Sequence, residues 1–308
     1  MWQDDAAGLL REEMRVLLSL VTDAGGLRER LGEALTQGEN RPEGIVPLAV
    51  CDAISGHYEQ ALPAAAAMRF FRAAADVFDD IEDADSPVSL AARYGPAVAI
   101  NAATTLLVLG EKALARLAIR GLAGDVIVRV LDAVNSYHLT ACAGQHRDLS
   151  TVPGTPLAED EYLEILAMKS ASEVECAYVI GALVAGARPE MVDLFATLGR
   201  NHGMAAQIAD DIQGTIEGTD IFKRKATLPA IYALTQANGE ARSQIQAAFD
   251  IRHAGMPDVQ RVRQLLFDLG AIHYATLKMG MYRQSASDAL SRIDSSGVST
   301  TRLRTMSE

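Results

Sequence analysis

Apolar side chains recur every three to four residues along almost the whole chain, the spacing of one helical face. The pattern predicts helices over 3–21, 27–37, 44–55, 61–84, 95–120, 124–149, 157–186, 189–217, 227–236, 239–252 and 257–289. The breaks carry turn chemistry: Gly25-Gly26, Arg41-Pro42-Glu43-Gly44, Ser86-Pro87, Gly95-Pro96, Val152-Pro153-Gly154 and Arg188-Pro189. Several of these helices are longer than 20 residues and apolar around much of their circumference. Such helices belong inside a large bundle. No stretch is dominated by strand formers, no repeat of 20–50 residues is evident and no composition shift marks a boundary. The expectation is an all-α fold with one large helical domain over residues 1–290. From Ser291 to Glu308 the chain is rich in Ser, Thr and Arg and lacks periodicity, so a flexible C-terminal tail is expected.

The composition narrows the function. Of 308 residues, 49% are hydrophobic, and the formal net charge is −12. That charge excludes nucleic acid as a partner, because phosphates would be repelled without a basic patch. An acidic protein that binds a polyanion needs cations between the two. Cys51, Cys142 and Cys176 are scattered and form neither a disulfide framework nor a zinc spacing. The N-terminus is acidic where a signal peptide would be basic. The apolar run from Pro96 to Gly110 is too short to span a bilayer. A cytoplasmic protein without stable membrane insertion is expected.

Two acidic clusters interrupt apolar helices. In Asp79-Asp80-Ile81-Glu82-Asp83, Asp79 and Asp83 are four apart and share a face. Like charges there repel, Asp is a poor helix former, and anions near a helix C-terminus oppose its dipole. Something outside the helix must compensate, and hard divalent cations with oxygen ligands fit. Asp210-Asp211 forms the second pair. Taken singly, each could be a solvated helix end. Together they suit a diphosphate held through magnesium, which normally uses one or two carboxylates plus waters and phosphate oxygens. A ferritin-like di-iron bundle would need Glu-x-x-His pairs, and none is present.

At this point the chain, from about Gly38 to Met281, resembles the trans-prenyl diphosphate synthases and the wider class I isoprenoid synthase superfamily. Asp79, Asp80 and Asp83 match the family's DDxxD. Gly144-Gln145-His146-Arg147-Asp148-Leu149 resembles its GQ-x-x-D-L, and Tyr162 to Lys169-Ser170 its Tyr…Lys-Thr stretch. Gln207 with Asp210-Asp211 resembles Q-x-x-DD, and Lys225-Ala226-Thr227-Leu228-Pro229 resembles K-x-T-L-P. The resemblance implies a bundle with a deep central pocket and an often dimeric protein. It also implies Mg²⁺ as cofactor, two ions on the first cluster and a third on Asp210 and Asp211. By the same resemblance Lys169 and Lys225 contact the diphosphate, and Gln145 and Gln207 line the site. Ala74 and Ala75, five and four residues before Asp79, leave room for a long prenyl chain, C15 or C20, with Phe70 and Phe71 as its floor or as ordinary core aromatics.

Three departures shape the expected activity. The family's basic Gly-Lys-Arg-x-Arg-Pro loop reads Gly38-Glu39-Asn40-Arg41-Pro42-Glu43 here, keeping only Arg41. The Arg-Arg pair that usually follows the first motif is missing from Asp85-Ser86-Pro87-Val88-Ser89-Leu90. The second motif ends in Gly214 instead of Asp, and Glu217, seven residues after Asp210, is the candidate substitute if it is not simply solvated. Arg72 can replace lost positive charge or pair with Asp76, four residues on. Chain elongation needs a second, basic phosphate site. The eroded loop therefore favours an enzyme that ionises a single allylic prenyl diphosphate: a terpene synthase, or a prenyltransferase with an acceptor other than isopentenyl diphosphate. The alternatives are a chain-elongating prenyl diphosphate synthase and a non-catalytic partner subunit of one.

Overall fold

The computed structural model describes residues 2–37, 44–83, 86–151, 157–250, 252–253 and 255–305. Gly38 to Glu43, which carry the first departure, and Asp85, where the second begins, lie outside the described residues. Among the described residues every regular element is helical. In chain order these are α1 (Trp2–Ser19), α2 (Leu27–Gln37), α3 (Val46–Ser55), α4 (Leu62–Asp83), α5 (Leu90–Tyr94), α6 (Pro96–Ala115), α7 (Gly124–Ser150) and α8 (Glu159–Leu166). They continue with α9 (Ser172–Val184), α10 (Pro189–Glu217), α11 (Thr219–Phe222), α12 (Leu228–Gln236), α13 (Gly239–Phe249), α14 (Val259–Asp268), α15 (Ala271–Ser295) and α16 (Thr301–Thr305).

The helix expected over 257–289 is two helices, because Gly270 adopts φ 73° and its N–H closes on the carbonyl of Phe267 at 2.9 Å. That is a glycine C-cap, which ends a helix. The helix expected over 157–186 is interrupted by a π-helical turn, Ala167–Ala171. Its cause is tertiary: a Cβ on Gly144 would lie 2.5 Å from the Lys169 nitrogen, and one on Gly203 would lie 2.6 Å from Cα of Ala171. Two glycines thus let α7 and α10 approach the turn backbone to backbone. π turns of this kind recur at functional sites.

The chain forms two compact units, Met1–Ser136 with Cys176–Ala196 and Leu290–Glu308, and Tyr137–Glu175 with Thr197–Ala289. Each crossing falls inside a continuous helix, α7, α9, α10 or α15. No Pro/Gly linker or composition shift is needed at such a boundary, which is why a single domain was the economical reading of the sequence.

In the first unit, α4 and α6 pack through small residues. Ala64 to Ala67, Ala73 and Ala74 are buried on α4, and Ala99, Ala102, Ala103 and Gly110 on α6. Phe71 sits against Gly110, where a Cβ would meet its ring at 2.3 Å, and Phe70 is fully buried, so both are core aromatics. The helical run from Pro96 extends to Ala118 and is long and apolar enough to cross a membrane, unlike the shorter run expected, but 44% of an 18-residue apolar stretch within it is buried inside the protein. Glu13 of α1 is buried and bound by Arg116 at 2.6 Å and Arg120 at 2.9 Å. The expected flexible tail is instead folded as far as Thr305. Leu303 and Thr300 are fully buried, Arg304 pairs with Asp294 at 2.7 Å, and Arg302 pairs with Asp52. One apolar anchor in a five-residue helix is too short a pattern to read as periodicity.

The second unit holds two apolar clusters. Ile221, Leu234, Ile245, Phe249, Val262 and Leu266 join α11 to α14. Tyr162, Leu166, Met204, Ile208, Leu228 and Ile231 join α8, α10 and α12.

Candidate active site

Asp79, Asp80 and Asp83 end α4 in the first unit. Asp79 and Asp80 are half-buried, and Asp83 is exposed. Arg72 pairs with Asp76 at 2.9 Å, one turn before Asp79. Burial pushes the Asp76 carboxyl up, the Arg72 charge opposes this, and the negative Asp79 adds to it. Ala74 is buried, whereas Ala75 is exposed.

The remaining predicted residues belong to the second unit: Gln145, Lys169, Gln207, Asp210, Asp211, Glu217 and Lys225. Lys169 stands on the π turn and donates to Asp148 of α7 at 2.8 Å. Asp148 thereby gains a role that spacing alone did not assign: it fixes the ammonium of Lys169.

The aspartates of the second pair have different surroundings. Asp210 is exposed, but Asp211 is 2% exposed. One Asp211 oxygen accepts from the Tyr162 hydroxyl at 2.7 Å and from the Leu228 N–H at 3.4 Å, and the other from the Gln207 amide at 3.4 Å. Burial pushes Asp211 up to about 6, against the lowering effect of these donors. Desolvation of a carboxylate outweighs even three hydrogen bonds here. Tyr162 is pushed well above its ordinary value by its own burial and by the carboxylate it binds.

Asp220 is the residue that the sequence did not single out. A Cβ on Gly214 would lie 2.6 Å from its carboxylate, so Asp220 fills the space in which a side chain at position 214 would begin. The Thr227 hydroxyl donates to it at 3.2 Å. Burial raises its pKa, the Thr227 bond and the charges of Lys225 and Lys223 lower it, and the charge of Asp210 raises it again. The backbone closes the turn, with Lys225 N–H on the Asp220 carbonyl at 2.8 Å. Glu217 is exposed and accepts from Gln213. The only sequence signal for Asp220 is indirect: a glycine at a motif position followed six residues later by an aspartate.

Among the described residues no three metal-ligating side chains are gathered tightly enough to hold a metal alone. Hard oxygen donors supplied in incomplete sets still fit magnesium, which takes one or two carboxylates and completes its shell with water and phosphate oxygens.

The polyprenyl synthetase family profile matches residues 29–266. The chain is 26% identical to a geranylgeranyl diphosphate synthase of Sulfolobus acidocaldarius, over 89% of this chain and 86% of the relative. It is 25% identical to the tryptophan prenyltransferase ComQ of Bacillus spizizenii, over 71% of this chain and 76% of that protein. Among solved structures, the geranylgeranyl pyrophosphate synthetase of Geoglobus acetivorans superimposes with a TM-score of 0.80 at 25% identity, covering 94% of this chain and 90% of that one.

Proposed function

The chain belongs to the polyprenyl synthetase family of enzymes, and from that premise we propose that it is a magnesium-dependent prenyltransferase that ionises an allylic prenyl diphosphate and joins the prenyl group to isopentenyl diphosphate. This is chain elongation, the alternative in the sequence reading. Similarity to a geranylgeranyl diphosphate synthase and to a prenyltransferase favours it over the terpene-synthase reading, in which one substrate reacts alone. The observation that carries the proposal is the ordered set at the end of α10: an exposed Asp210, Asp220 beside Gly214, and the charges of Lys223 and Lys225 acting on Asp220.

Asp79, Asp80 and Asp83 would hold two magnesium ions, and Asp210 with Asp220 a third, while Asp211, buried under Tyr162 and Leu228, would tie α10 to its neighbours. Glu217 is the competing ligand. Bound magnesium would supply Lewis-acid stabilisation of the charge that develops on the leaving diphosphate. Lys169, held by Asp148, and Lys225 would contact a diphosphate and add preorganised positive charge. Gln145 and Gln207 line the diphosphate site, and Ala75, the exposed one of the two alanines before Asp79, leaves space for a C15 or C20 chain. The heterolysed C–O bond leaves an allylic cation, which the double bond of the second substrate attacks before a proton is lost.

A second reading has its own support. The match to ComQ, together with Glu39 and Glu43 in the loop that is basic in the family, favours an acceptor other than isopentenyl diphosphate. We also propose a homodimer. On α6, Ile100, Leu107 and Val108 share one side of the helix and are 37–62% exposed, an apolar strip that a second copy would cover.

The test is incubation of purified protein and Mg²⁺ with geranyl, farnesyl or geranylgeranyl diphosphate, each with and without isopentenyl diphosphate. Longer diphosphates that form only with isopentenyl diphosphate are expected. Hydrocarbon or alcohol released from one substrate alone would overturn the proposal in favour of a terpene synthase.

A further inference from the structure

Arg224 lies between the two lysines of the site turn, and it is the one non-glycine residue with positive φ among the described residues, at 60°. An arginine resists this left-handed conformation because its Cβ crowds the following carbonyl. Such a residue persists only when its surroundings over-determine it. The surroundings here are the C-terminal carbonyls of α13, which no residue of that helix can satisfy. One guanidinium nitrogen of Arg224 shares its two hydrogens among the carbonyls of Ala247, Ala248 and Asp250 at 3.0, 3.1 and 2.9 Å. The other donates to the Gly255 carbonyl. The cation also sits at the negative end of the helix dipole.

The consequences fall on the neighbours. The Arg224 N–H closes on the Ile221 carbonyl at 3.1 Å, Lys225 N–H on the Asp220 carbonyl at 2.8 Å, and Thr227 N–H on the Lys225 carbonyl at 3.1 Å. The left-handed residue is thus the pivot of the turn that brings the charges of Lys223 and Lys225 to Asp220. We propose that Arg224 is a positioning residue: its guanidinium, clamped on the end of α13, holds the 223–227 turn in the conformation that presents Lys225 to the diphosphate. The ligand part of this inference rests on the proposed prenyl diphosphate activity.

The test compares the full-length protein with Arg224→Ala and Arg224→Lys in three measurements: amide hydrogen exchange at residues 223–227, affinity for inorganic pyrophosphate with Mg²⁺, and melting temperature. With alanine, the amides of Lys225 and Thr227 should exchange roughly tenfold faster, and pyrophosphate should bind roughly tenfold more weakly. Lysine, which keeps the charge but lacks the fork, should fall between. Added guanidinium at low millimolar concentration should recover part of the alanine variant's affinity. A variant that melts lower but keeps both the exchange rates and the pyrophosphate affinity of the native protein would show a merely structural role and overturn the inference. Native protein that fails to bind magnesium pyrophosphate strikes the functional reading instead. In that case the exchange rates alone decide whether Arg224 holds the turn.

Discussion

The ends of α4 and α10 both carry an aspartate pair, yet they are built in different ways. At the end of α4 the helix itself does the work: Asp79, Asp80 and Asp83 share a face by spacing, and the last turn leaves Asp83 exposed. At the end of α10 spacing supplies only Asp210. Its neighbour Asp211 is buried under Tyr162 and Leu228 and ties α10 to α8 and α12. The third carboxylate arrives from outside the helix, as Asp220 folds back onto Gly214. Carboxylates set by local spacing can be read directly, whereas one brought beside Gly214 by a tertiary contact cannot.

The sharpest way to break this comparison is at α4. Asp80→Asn removes a ligand charge for which the helix holds no replacement, and kcat should fall about a thousandfold, some 4 kcal/mol of barrier. A loss under tenfold would mean that the first cluster is not the principal metal site. A smaller effect is expected at α10. Asp220→Asn should lower kcat/KM about 10–100-fold and raise the Mg²⁺ concentration needed for half-maximal activity. Glu217→Gln should leave both within about threefold, as surface changes usually do. The reverse pattern would make Glu217 the third carboxylate. Gly214→Asp, which restores the family's motif, should reduce activity by crowding the Asp220 carboxylate, and adding Asp220→Gly should recover it.

How much could be read from the sequence follows the same division. The all-α class and the helices α4 and α10 were legible, because they rest on apolar periodicity and, at the end of α4, on charges placed against the helix dipole. The π turn under Lys169 was not, since its cause is the approach of Gly144 and Gly203 from other helices. Asp148, Tyr162 and Asp220 were present in the sequence without roles, because hydrogen bonding across 7 to 49 positions leaves no periodic trace. Arg72 was the opposite case: its bond to Asp76 is the i,i+4 pair that helical spacing allows.

The smallest expected effect concerns Asp211 and tests whether it is a buried structural carboxylate. Its carboxyl is pushed up to about 6 in the folded protein, from an ordinary value of 3.8. The fold therefore prefers the protonated form. That preference contributes fully below pH 3.8 and is lost as pH rises through about 6. Between pH 5 and 7, without magnesium, this one group should lower the unfolding free energy by about 1 kcal/mol. Asp211→Asn keeps the shape: its carbonyl can accept from Tyr162 and Leu228, and Gln207 can turn its own carbonyl towards the new amide. Urea melts of both proteins in EDTA across this range should diverge, with the asparagine variant losing less stability as pH rises. Tyr162→Phe removes the shortest of the donors and should steepen the native dependence while costing about 1 kcal/mol at pH 7. Parallel pH profiles for native protein and Asp211→Asn would mean that the carboxylate is ionised and solvated throughout, and that the ends of α4 and α10 are alike after all.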